Sequence, residues 1–140
     1  MASKDASKPA ALSSGRPLYS IIIPAYNEEK NIIPTISALA KELRAEAIPF
    51  ELVVVNDNSK DNTAAVVQAA MAAFPEIKLV HNTPPGGLGR AVRCGLKHFS
   101  GDVVAIVMAD LSDSPADVAA CYRHIEEGYD CVFGSRFTKG

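Results

Sequence analysis

Five short polar stretches hold most of the residues in this chain whose types could do chemistry. They are Pro24-Ala-Tyr-Asn-Glu-Glu29, Asn56-Asp-Asn-Ser59, Gly86-Gly-Leu-Gly-Arg90, Ala109-Asp-Leu-Ser-Asp113 and Gly134-Ser-Arg136. Together they supply an aromatic (Tyr26), several carboxylates and a glycine loop that opens a helical pattern. A carboxylate such as Asp57 can accept hydrogen bonds from a base N–H or from ribose hydroxyls, and an aromatic ring can cover a base face. The amides of Gly86 to Gly89, at the amino end of a helix, can face an anion, helped by Arg90 or Arg93. Acidic residues beside a diphosphate imply a divalent cation between them. The ligand these residue types suit is a nucleotide diphosphate with a metal.

The elements that must position these stretches follow from the apolar pattern. Strands are expected at Tyr19–Pro24, Phe50–Val55, Ile77–Val80, Val103–Met108 and Cys131–Phe133, each a short apolar run closed by polar or turn residues. Helices are expected at Asn31–Ala45, Asn62–Phe74, Leu88–His98 and Pro115–Glu127. In the first, Ile32, Ile33, Ile36, Leu39 and Leu43 fall on one side, Asn31 can cap and Pro34 is tolerated in the first turn. Four βα units with nearly continuous apolar strands imply a doubly wound α/β fold with a parallel sheet covered on both faces. Ligands of such sheets bind beyond the strands' carboxyl ends, where all five polar stretches fall.

Composition narrows the classes. The chain has 140 residues, 48% of them hydrophobic and 21% charged, which suits one soluble globular domain. Its net charge of −2 offers no broad basic field for nucleic acid. No apolar run approaches the ~20 residues that span a bilayer. Met1–Pro17 is rich in Ser, Ala, Lys and Pro without an apolar core, so it reads as a disordered tail and not a secretory signal. The cysteines (Cys94, Cys121, Cys131) have no metal-like spacing and read as small buried hydrophobes in a reducing compartment. His81, His98 and His124 are scattered without ligand spacing. The first turn lacks GxGxxG and the chain lacks GxxxxGK[ST], which argues against nicotinamide dinucleotides and P-loop nucleotidases.

Taken in order, Ile21-Ile-Ile-Pro-Ala-Tyr-Asn-Glu28, Val53-Val-Val-Asn-Asp-Asn-Ser-Lys-Asp61, Gly87-Leu-Gly-Arg-Ala-Val92, Ala109-Asp-Leu-Ser112 and Gly134-Ser-Arg-Phe137 resemble glycosyltransferase family 2. The branch they resemble most is the dolichyl-phosphate mannosyltransferases and related polyprenyl-phosphate hexosyltransferases. The resemblance covers Leu18–Gly140 and implies a GT-A fold with a nucleotide-sugar donor. It implies that Pro24, Tyr26 and Glu28 surround the donor nucleotide and that Asp57 reads the base. Gly87, Gly89 and Arg90 complete the donor set. Asp110 matches the last acid of the DxD metal motif, with Ser112 two positions further on, and Arg136 matches the arginine that meets the acceptor phosphate. Asp110 and Arg136 are thus the expected catalytic pair, and Asp110 with Ser112 the expected holders of Mg²⁺ or Mn²⁺.

Two departures stand out. The usual Asp-Asp after the second strand is Asn56-Asp57, and the usual Asp-x-Asp is Met108-Ala109-Asp110. Methionine cannot serve a hard cation that wants oxygen. Some residues also fit plain structural roles: Asp57 could cap a turn, Glu29 suits a first helical turn, Glu28 fits either reading, and Asp113 could simply begin the next helix.

The resemblance therefore implies an inverting transferase that moves a hexose, mannose or glucose, from a GDP- or UDP-sugar to a polyprenyl or dolichyl phosphate. Such an enzyme works on the cytosolic face of a membrane, in the cytoplasm and peripheral to the bilayer. Two alternatives stay open: a saccharide acceptor, or a noncatalytic nucleotide-sugar-binding fragment. Because Gly140 follows so soon after Arg136, residues 18–140 read as the donor-binding, amino-terminal part of such an enzyme. Acceptor elements would then come from a further carboxy-terminal region or a membrane-embedded partner.

Overall fold

In the computed structural model, residues 15–128 are described. Four strands, β1 (Tyr19–Ala25), β2 (Phe50–Asn56), β3 (Ile77–His81) and β4 (Val103–Ile106), alternate with four helices. These are α1 (Ile32–Ala45), α2 (Thr63–Ala70), α3 (Leu88–Leu96) and α4 (Pro115–Glu126). Every strand pairing is parallel, and the order in space is β3-β2-β1-β4. The doubly wound expectation holds, with α2 and α3 shorter than their apolar patterns suggest and β4 stopping two residues early. The expected strand at Cys131–Phe133 lies outside the described residues, as do Gly134 and Arg136.

Side-chain parity along the strands divides the core. Tyr19, Ile21, Ile23 and Ala25 of β1, with Leu52 and Val54 of β2, join the buried stripe Ile32, Ile36, Leu39 and Leu43 of α1. Val118, Ala119 and Tyr122 of α4 complete that layer. Cutting one of these buried aliphatics to Ala would cost about 2–5 kcal/mol. Ile22, Val53 and Val55 face the other way and pack on Ala91 of α3. There the helix lies so close that a Cβ on Gly95 would stand 2.5 Å from Ile22 Cγ2. Beyond α3 on that face, Val104 and Ile106 of β4, the outer strand among the described residues, are each 39% exposed.

Two residues assigned to the tail by composition are tied to this body. The Arg16 guanidinium pairs with Glu126 at 2.9 Å, donates to the Glu46 and Ala47 carbonyls and lies over the Tyr122 ring. The Tyr122 hydroxyl donates to the Pro17 carbonyl at 2.6 Å. Cys94 is a free thiol, but Cys121 is disulfide-bonded, which corrects the expectation of three reduced cysteines. Spacing along a chain does not report which thiols meet in space.

Candidate active site

The strand order reverses between β1 and β4: β2 and β3 extend to one side, and the chain then returns to the other. Such a switch point leaves a crevice at the strands' carboxyl ends. A cleft of about 660 Å³ opens there, within the size range of small-molecule sites. From β1 and its loop it takes Pro24, Ala25, Tyr26 and Glu28; from the end of β2, Asp57, Asn58 and Lys60. The turn before α3 adds Gly86, Gly87 and Leu88, and the chain beyond β4 adds Met108 and Ala109.

Asp57 is the hub. It is only 6% exposed, and its carboxylate binds three donors. Oδ2 accepts from the Gly87 amide at 2.9 Å, and Oδ1 accepts from the side chains of Asn82 (2.9 Å) and Asn58 (3.2 Å). Gly87 has φ of +135°, a backbone conformation that favours glycine, and a Cβ on Gly86 would stand 2.9 Å from Asp57 Oδ1. The glycines are thus explained by the approach of the α3 turn to a buried carboxylate. A carboxylate offers about four lone-pair sites, so Asp57 keeps the capacity to accept once more, from a ligand in the cleft.

Much of the polar sequence around it is a lock between two loops. The Asn27 amide donates to Ser59 Oγ (2.9 Å), while Asn27 Oδ1 accepts from the Lys60 amide (2.7 Å). The Glu28 amide donates to Thr63 Oγ1 at 2.9 Å, and the Glu29 amide to Asp61 Oδ2 at 3.2 Å. The Thr63 hydroxyl, with the Thr63 and Glu29 amides, holds the Asp61 carboxyl below the usual carboxylate range. Glu29 Oε1 in turn accepts from the Asn62 amide at 3.2 Å. Glu29 is therefore a loop brace, ahead of the first turn of α1 where its plain reading put it; that turn carries no acid. Glu28 lines the cleft, with Oε1 accepting from Asn31 Nδ2 at 3.1 Å. Tyr26, 53% exposed, stands at the rim as a free aromatic face.

The β4 loop is built differently. The buried Thr35 hydroxyl of α1 donates to the Ala109 carbonyl at 2.8 Å, which fixes the chain just before Asp110. Asp110 Oδ1 accepts from the Ser112 amide at 3.0 Å, and Leu111 between them has φ of +63°. A bulky residue in that region stores strain, which clusters at functional sites. Asp113 Oδ2 accepts from the Met108 amide at 3.0 Å, and Ser114 is the residue that caps α4. Asp113 thus shapes the loop. Among the described residues no three His, Cys, Asp or Glu side chains gather as a ligand set. The donors at this loop fit a divalent ion that takes most of its oxygens from a bound diphosphate and water.

Of the residues singled out in the sequence, Pro24, Tyr26, Glu28, Asp57 and Gly87 come together around the cleft, and Asp110 and Ser112 follow directly on its Ala109 wall. Gly89 and Arg90 do not line it; Arg90 points into a separate groove on α3. Arg136 lies outside the described residues. Lys60 is the cleft residue that sequence reasoning missed. It directly follows the second polar stretch, and its sign was that it is the sole cation of the run from Val53 to Asp61.

Known proteins resemble this chain in sequence and in fold. A family model described as "Glycosyl transferase family 2" matches residues 20–140. A dolichol-phosphate mannosyltransferase of Pyrococcus furiosus is 36% identical over 121 residues, 86% of this chain and 34% of that protein. The chain thus spans about a third of that relative's length. Among solved structures, a mannosyltransferase from Pyrobaculum calidifontis in complex with GDP-Man and Mn²⁺ is similar at a TM-score of 0.60 and 30% identity, over 68% of this chain and 28% of that one. A glucosyl-3-phosphoglycerate synthase from Mycobacterium tuberculosis, in complex with Mn²⁺, UDP and phosphoglyceric acid, is similar at a TM-score of 0.64 and 25% identity, over 83% and 40% of the two chains.

Proposed function

The chain belongs to glycosyl transferase family 2, and on that premise we propose that it forms the donor side of an inverting hexosyltransferase acting on a polyprenyl or dolichyl phosphate. The observation that carries the reading is the cleft itself, at the switch point, with Asp57 buried at its base and Tyr26 at its rim. In this reading Asp57 accepts from the base, Tyr26 and Pro24 flank it, and Glu28 faces the ribose. The Gly86–Leu88 turn and Lys60 face the diphosphate.

A lipid phosphate oxygen is already anionic at neutral pH. It attacks the sugar's anomeric carbon as the bond from that carbon to the diphosphate oxygen breaks, and the nucleoside diphosphate leaves with the electron pair. In-line attack inverts the anomeric centre and needs no protein base. The chain's work is then to position the reactants and stabilise developing charge. Asp110, with Ser112 beside it, would hold a divalent cation that neutralises charge on the leaving diphosphate. Arg136 is assigned to the acceptor phosphate on its match to the family motif. Such a reaction belongs at a membrane surface; no described helix is long and apolar enough to cross one.

A hydroxyl acceptor would instead need a base. The cleft's carboxylates among the described residues are Glu28 and Asp57, and Asp57 already binds three donors. That weighs toward the phosphate acceptor. The test incubates the protein with radiolabelled GDP-mannose or UDP-glucose, a short polyprenyl phosphate and Mn²⁺, beside titrations of each nucleotide sugar alone. Labelled lipid is the expected product. Transfer only to a saccharide or other hydroxyl overturns the acceptor, and failure of every nucleotide sugar to bind overturns the donor cleft.

A further inference from the structure

Across the 82–87 loop from the donor cleft, α3 presents Arg90, Arg93 and Lys97, spaced by three and four so that they form one stripe. They line a second groove of about 350 Å³, with His81 and His98 on its walls and no Asp or Glu. This differs from the other cations of the protein. Of the five described arginines, Arg16 pairs with Glu126, Arg44 with Glu76 and Arg123 with Glu46. Among the described residues nothing pairs with Arg90 or Arg93, nor with Lys97. In a chain of net charge −2, three unpaired cations around one concavity form a local positive field. The His98 Nδ1–H donates to the Cys94 carbonyl at 2.8 Å, and His81 Nδ1 accepts from Asn56 Nδ2 at 3.1 Å. His81 in that tautomer keeps Nε2–H as a donor.

We propose that this groove is a second anion site, separate from the donor cleft, which takes a small molecule bearing a phosphate or diphosphate. Two guanidinium groups match phosphate oxygens in paired hydrogen bonds, and Lys97 adds a point charge. A concave groove walled by Pro84 and Pro85 suits a compact anion better than a flat lipid surface. One residue touches both sites: Asn82 lines the groove, and its amide holds Asp57 in the cleft.

The probe is pyrophosphate, titrated into the full chain with arginine side chains labelled for NMR. The Arg90 and Arg93 Nε–H signals should shift saturably, and Arg44 should not. Arg90→Gln with Arg93→Gln should weaken the anion at this groove at least ~10-fold, whereas double Lys replacement should weaken it less. Both side chains are exposed, so melting should stay unchanged; the unmodified chain's own signals decide the matter if the variant misfolds. Signals that ignore pyrophosphate overturn the proposal. So do signals that respond equally to sodium chloride at matched ionic strength, or only to vesicles of phosphatidylcholine with phosphatidylserine, which would mark a membrane surface instead.

Discussion

Strand β2 has a carboxylate near each end, and the two are used in opposite ways. At the amino edge Glu51 Oε2 accepts from the Ser20 hydroxyl (2.6 Å) and the Ser100 amide (2.7 Å), and Oε1 from the Ser100 hydroxyl (2.9 Å). Lys78 stands 3.7 Å away, and the Ser20 hydroxyl also accepts from the Gly101 amide. At the carboxyl edge Asp57 likewise has three donors, but no cation among the described residues is paired with it and it borders an open cleft. Both carboxylates are well bonded. Only the one that keeps spare acceptor capacity beside an empty volume can read a ligand. A count of hydrogen bonds therefore does not separate a structural acid from a binding one; the space beside it does.

The largest effect should come from breaking the closed end. Glu51→Ala strands the Ser20 hydroxyl and leaves Lys78 without its carboxylate, at an expected cost of about 3 kcal/mol in urea unfolding. Nucleotide affinity should stay within experimental error, since none of these groups lines the cleft. A Glu51→Ala chain that folds normally but loses nucleotide would erase the distinction between the edges.

Breaking the open end should show in both readouts. Asp57→Ala is expected to lose about 1.5–3 kcal/mol of nucleoside-diphosphate affinity, roughly 10- to 150-fold. It should also cost stability, because Asn82 and the Gly87 amide lose their acceptor. Asn82→Ala separates the two contributions. It removes one brace and leaves the carboxylate, so calorimetry should find a smaller affinity loss at a comparable stability loss. Equal affinity losses would make Asp57 a brace and nothing more.

Sequence alone made the open edge legible because its residue types are unusual there: glycines before a helix, an aromatic at a strand end, an acid closing an apolar run. Strand parity and the α1 stripe likewise follow from pattern. What sequence could not convey is which polar residues spend themselves on each other. Asn27, Glu29, Ser59, Asp61 and Thr63 look as chemical as Asp57, yet they fasten two loops that are thirty residues apart in the chain. Arg90 sits two residues past Leu88 of the cleft, and helical rotation still sends it to the other groove. Glu51 resembles an ordinary strand polar residue until Ser100 arrives from a distant turn.

A gain at the open edge sharpens the comparison further. Met108 lines the cleft where a second oxygen ligand would be expected from the family motif. Met108→Asp should tighten Mn²⁺ about tenfold in the presence of nucleoside diphosphate, near 1.4 kcal/mol. Mn²⁺ relaxation titrations would read it. Identical metal affinity in the two chains, with and without nucleotide, would move the metal away from Asp110.

The smallest expected effect is the acid dependence of the closed edge. Burial pushes the Glu51 carboxyl up, but the Ser100 amide, the Ser20 and Ser100 hydroxyls and Lys78 together outweigh it and hold the group below its ordinary value of 4.5. A carboxylate whose folded value is depressed contributes stability that is present above its unfolded value and is lost as pH falls through the folded one. The thermal midpoint should therefore decline as the pH drops below about 4.5, the ordinary value from which Glu51 is lowered. Glu46, Asp61 and Glu126 are depressed in the same direction and add to the slope. Glu51→Gln removes one titrating group from that set, so its midpoint should start lower at neutral pH and fall less steeply on acidification. Parallel curves for the two chains would mean that Glu51 holds its network through shape and not through charge, and the two ends of β2 would then differ in geometry alone.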